Sequence, residues 1–86
     1  MEVNKLILLV KKKIEKNIIV QKIIIKDKTY LHVKHSSHEV GKFHLELRII
    51  SEELNKYNKI YSTKKIYKIL GDEIKKYIHS IQILIN

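Results

Sequence analysis

Phe43, Leu45, Leu47 and Ile49 alternate strictly with His44, Glu46 and Arg48. This period of two turns the four apolar side chains to one face of a β-strand. Such a strand has one face to bury, so other elements must cover it. The first candidate is the N-terminal segment, where Val3, Leu6, Ile7, Val10 and Ile14 recur at helical spacing, with Lys5, Lys12, Lys13 and Lys16 on the opposite side. The second is residues 60–77. There Ile60, Thr63, Ile66, Tyr67, Leu70, Ile74 and Tyr77 share one side of a helical wheel, and Lys64, Lys65, Lys68, Asp72 and Lys75 the other. This predicts the main packing helix. Between strand and helix, Ser51 precedes Glu52 and Glu53, a hydroxyl able to cap and two carboxylates suited to the positive first turn of a short helix.

Two further strands complete the sheet. Residues 18–25 are rich in β-branched side chains and read as a strand antiparallel to the alternating one, although apolar residues fall on both of its phases. At the end of the chain His79, Ile81, Ile83 and Ile85 share one phase, with Ser80 and Gln82 in the other. The expected order is α-β-β-α-α-β, an α+β fold in which a three-stranded mixed sheet carries its helices on one face. With 86 residues, and no repeat, low-complexity tract or proline, residues 1–86 are read as one domain.

Composition narrows the chemistry. The chain has no cysteine, which removes disulfides, thiolate ligands and a Cys nucleophile together; metal chemistry falls to His and carboxylates. The apolar run at residues 6–10 is too short for a secretory core or a spanning helix, and the expectation is a soluble, cytoplasmic protein. The formal charge of +9 points to an anionic partner. However, Arg48 is the only arginine and the lysines are spread over residues 5–76, the pattern of a generally solvated basic surface.

Residues 27–42 lose periodicity and collect His32, His35, His38 and Gly41, which marks a long loop with functional potential. The bland reading of these histidines is solvation, and their three-residue spacing does not make a zinc site on a loop. His79, in phase with Ile81 and Ile83, reads as a buried imidazole bonded to backbone. His44 falls on the outward face of its strand and is left off the ligand candidates. Tyr67 and Tyr77 are expected in the core with polar tips, leaving Tyr57 and Tyr61 exposed. Ser36, Ser37 and the neighbouring histidines have no fixed acidic orienter, and neither a nucleophile elbow nor a phosphate loop occurs, so an enzyme is not expected.

A family resemblance runs through these pieces. Asp27-Lys-Thr-Tyr-Leu-His32-Val-Lys-His35, then Phe43-His44-Leu, Ile50-Ser51, Ile66-Tyr67, Leu70-Gly-Asp-Glu73 and Ile78-His79-Ser-Ile-Gln-Ile83 resemble BolA-like proteins. Members of that family carry an Asp-x-Ser-x-x-His-x-Gly-His loop, a Ser-His-Phe strand entry, a Val-Ser pair and an Ile-His-Ala-Leu ending at comparable spacings. The resemblance covers residues 27–83. Leu54 and Lys56 stand where the family usually has Phe and Gly, and Ser62-Thr63-Lys64 replaces Arg-His-Arg. It implies a KH-like fold and an adaptor that partners a monothiol glutaredoxin in iron-sulfur cluster assembly, trafficking or iron sensing. The adaptor would share a two-iron, two-sulfur cluster with that partner and bind none tightly when alone. By the same resemblance His79 is the expected cluster ligand, and a second comes from the loop before the second strand. With no cysteine this must be a histidine, ranked His38, then His35, then His32 by loop reach.

The resemblance also carries an alternative, a nucleic-acid-binding transcriptional regulator on the KH-like fold. Lys59, Lys64, Lys65 and Lys68 would make salt-dependent phosphate contacts. Gly41 and Gly71 do not form the Gly-x-x-Gly clamp of a KH domain. Alone, the chain is expected to be a monomer or a weak homodimer, since a three-stranded sheet has two edges.

Overall fold

The computed structural model describes residues 1–29 and 42–86. Helix α1 (Val3–Asn17) buries Leu6, Val10 and Ile14, the stripe its spacing predicts. Glu2 caps its start by accepting the Asn4 N–H at 2.9 Å, and the Ile18 amide closes its end on the Ile14 carbonyl at 2.9 Å. The first strand does not begin at residue 18. Ile18 seals the core below the helix and Ile19 points to solvent. Sheet pairing starts only when the Gln21 N–H reaches the Ile50 carbonyl at 2.8 Å, so β1 is Lys22–Asp27.

Strand β2 (Phe43–Ile50) runs antiparallel to β1, from Lys22 opposite Ile50 to Asp27 opposite Leu45. Strand β3 (Ile78–Ile85) runs parallel to β2 on its other side, so the order β1-β2-β3 makes β2 central. Leu45, Leu47 and Ile49 are buried, as the alternation requires, and join Leu6, Val10 and Ile14 of α1 in one core. Between β2 and β3 lie α2 (Glu52–Asn55), α3 (Lys59–Ile69) and α4 (Gly71–Tyr77). Ser51 caps α2 as expected: its Oγ accepts the Leu54 N–H at 3.2 Å and donates to the Ile19 carbonyl at 2.8 Å. Asn58 caps α3 through the Tyr61 N–H at 2.8 Å.

The expected order holds, with one correction inside it: the helix predicted over residues 60–77 is two helices. Leu70, at φ −95° and ψ 14°, ends α3 and opens α4. A single stripe across residues 60–77 presumes a constant turn per residue, and the break resets it. The inward stripe of α3 is Ser62, Ile66 and Leu70, spaced by four. The buried hydroxyl of Ser62 is accommodated because it donates to the Leu54 carbonyl at 2.9 Å. Ile60 and Tyr67 are consequently 71% and 42% exposed. Tyr67 is therefore not a core residue, although its hydroxyl reaches back to the Ile81 carbonyl at 3.2 Å. Tyr77 does pack against the core. In α4 the break brings Glu73 inward, where it meets Lys13 of α1 at 2.7 Å. Lys13, placed by the helical wheel on the solvent side, instead ties α1 to α4. Among the described residues no helix is long and apolar enough to cross a membrane.

Candidate functional site

The face of the sheet away from the core carries, rung by rung, His44 beside Ser80, Glu46 beside Gln82 and Lys26, and Arg48 beside Leu84 and Ile24. At the rung where β2 begins, the pairing slips. Phe43 stands opposite Ile78 but His44 stands opposite Ser80, so β3 carries one extra residue, His79. This is a β-bulge. Its effect on phase is visible in burial: Ile78 and Ile81, three apart, both face the core, and His79 and Ser80 between them are exposed. The parity that put His79 in phase with Ile81 and Ile83 is broken at that point, and the buried-imidazole reading is corrected. The bulge turns His79 out of the edge strand.

His44 is the residue that sequence reasoning missed. It lies on the outward face as alternation requires, but it is buried, with 4% of its surface exposed. Its ring centroid is 4.9 Å from that of His79, the planes tilted by 46°. Its Nδ1 is hydrogen-bonded to Ser80 Oγ at 2.6 Å. The backbone of His44 is clamped by the end of β1. Lys28 N–H donates to the His44 carbonyl at 2.7 Å, and the His44 N–H donates to Thr29 Oγ1 at 3.1 Å. Asp27 Oδ1 in turn accepts both the Thr29 N–H at 3.0 Å and the Thr29 hydroxyl, a local Asp turn. The Asp-x-Thr element thus has a mechanical meaning: it fixes the strand entry next to His79. No signal within β2 alone marks His44, because its neighbour comes from a strand 36 residues later.

His32, His35 and His38 lie outside the described residues. The lysines of the alternative reading lie on α3: Lys59, Lys64 and Lys68 exposed, Lys65 half-buried. Lys64, Lys65 and Lys68 line a groove with Tyr61, Ile69 and Asn17, and Lys59 lines a neighbouring hollow with Ile60, Thr63 and Tyr67. Tyr57 and Tyr61 are exposed, as expected, and form a tilted pair with centroids 4.7 Å apart. Lys65 Nζ sits 5.9 Å from the Tyr57 ring and 3.9 Å from Glu53 Oε2.

A family model describing BolA-like proteins matches residues 14–86. The chain belongs to the BolA-like family. Among solved structures, this BolA-like protein is similar to the BolA domain of SufE1 from Arabidopsis thaliana, with 25% identity, a TM-score of 0.76, and coverage of 92% of this chain and 87% of that one. BolA1 from Arabidopsis thaliana gives the same TM-score and coverage at 20% identity, a likeness of fold. No curated protein matches. The ending Ile78-His79 lies on the edge strand β3, and the bulge leaves His79 exposed there.

Proposed function

We propose that this protein is a non-enzymatic adaptor that docks on a monothiol glutaredoxin and offers His79 to an iron-sulfur cluster held between the two proteins. One observation carries the reading: within a BolA-like fold, the bulge in β3 presents the His79 imidazole to solvent at the sheet edge. The donor set fits such a group. A chain without cysteine has imidazole as its soft-to-borderline ligand, and imidazole is a competent iron donor. A shared two-iron, two-sulfur cluster would supply one-electron chemistry, with imidazole in place of thiolate raising its potential. The rest is the work of this chain. Asp27 and Thr29 hold the entry to β2, and β2 holds the bulged strand in register. His38, followed by His35 and His32, remain the loop candidates for a second ligand.

The test is anaerobic cluster reconstitution with a monothiol glutaredoxin, read by visible circular dichroism and native mass. The expected product is a 1:1 complex with a spectrum unlike that of the glutaredoxin alone. His79→Ala should abolish that spectrum while leaving the far-ultraviolet spectrum of the fold intact. A His79→Ala protein with the wild-type cluster spectrum rules out the ligand role.

A second reading has its own observation, the α3 groove lined by Tyr61, Lys64, Lys65 and Lys68. Lysines beside an exposed aromatic suit a nucleic-acid strand, the charges taking phosphates and the ring a base. If the adaptor complex fails to form and DNA binding survives about 0.15 M salt, with Lys64→Ala and Lys68→Ala each weakening it and flattening its salt dependence, this reading takes first place.

A further inference from the structure

We infer that His44 and His79 together form a two-imidazole site for a first-row divalent metal ion such as Zn²⁺ or Ni²⁺, in the isolated protein and independently of any partner. Two imidazoles bound tetrahedrally to one ion through bonds of about 2 Å have ring centroids roughly 5 Å apart. His44 and His79 stand at 4.9 Å, so the rings need turn but hardly move. They come from adjacent strands, His79 directly preceding Ser80, the residue that pairs with His44.

His44 has the supporting contacts of a ligand. Metal-bound histidines are oriented by a hydrogen bond from the other ring nitrogen. Here Nδ1 meets Ser80 Oγ at 2.6 Å, and the tautomer that donates Nδ1–H to that hydroxyl carries its lone pair on Nε2. Its backbone is held by Thr29 and Lys28. Exposed His79 gives the ion a route from solvent. One rung further along the same face is Glu46, with its side chain 11% exposed. Its Oε2 is buried and has no hydrogen-bond partner among the described residues, while Oε1 meets Arg48 at 3.4 Å. Successive residues on one strand face are about 7 Å apart. This carboxylate forms no three-ligand group with the pair and lies near enough to favour a cation there. Among the described residues no third ligand joins the pair, which leaves water to complete the coordination shell.

Calorimetric titration of tag-free protein with Ni²⁺ and with Zn²⁺ tests the site. The expected result is 1:1 binding that His44→Gln and His79→Gln each weaken at least tenfold. It should persist within threefold in the variant carrying His32→Gln, His35→Gln and His38→Gln together. No uptake, an unaffected His44→Gln protein, or loss of binding in the triple variant overturns the site. Because His44 is buried and its variant is at risk of unfolding, imidazole ¹⁵N shifts of the wild-type protein on adding Zn²⁺ provide the decisive second reading. Movement of both His44 and His79 ring nitrogens supports the pair; movement of His79 alone, or of neither, overturns it. No glutaredoxin is present in either measurement, so the outcome does not depend on the adaptor reading.

Discussion

Ser51 shows how much of this fold turns on single polar atoms. Its side chain is fully buried and bridges two elements, capping α2 through the Leu54 N–H and reaching the Ile19 carbonyl across the junction between α1 and β1. Ser51→Ala removes an N-cap and the hydroxyl that donates to the Ile19 carbonyl, so it should destabilise by about 1–2 kcal/mol, read as a lower urea midpoint with unchanged slope. The capping role was legible in the sequence, because a serine before two glutamates is a local signal. The bond to Ile19, 32 residues away, was not, and neither was the His44–His79 pair. Both depend on which residues face each other across the fold, information that no single segment holds.

At the scale of elements, the same division separates what could be read from what could not. Helix α1 and strand β2 were legible because each keeps one period from end to end: Leu6, Val10 and Ile14 in the first, Leu45, Leu47 and Ile49 in the second. Besides the late start of β1, two failures are changes of phase. The break at Leu70 splits the helix over residues 60–77 without a proline to announce it. The bulge at His79 flips β3 without a glycine. Gly71 tempts a reading as the residue that makes the break possible, but its backbone does not lie in the left-handed region and nothing lies within 4 Å of where a Cβ would stand. Gly71→Ala should therefore keep the fold and raise stability by about 0.4–1 kcal/mol, chiefly by restricting the unfolded chain. A lower thermal midpoint would show that the glycine is needed for the break after all.

For the molecule as a whole, the net charge of +9 sits on a surface where the described ion pairs are Lys13–Glu73, Arg48–Glu46 and Lys65–Glu53, the last at 3.9 Å. Repulsion among the exposed lysines works against the compact state, and added salt screens it. Raising NaCl from about 20 to 200 mM should raise the thermal midpoint; a fall would mean that the ion pairs outweigh the repulsion. Charge also bears on assembly, together with the bulge. Among the described residues, a sheet of order β1-β2-β3 has two outer strands, and each is blunted. Exposed Lys22 and Lys26 stand at either end of β1, and the irregular step at His79 interrupts β3 near its start. A second chain laid along β3 would find its amides and carbonyls out of step with the first rung. The step that turns His79 outward therefore also confines any regular strand pairing along that border to residues 80–85.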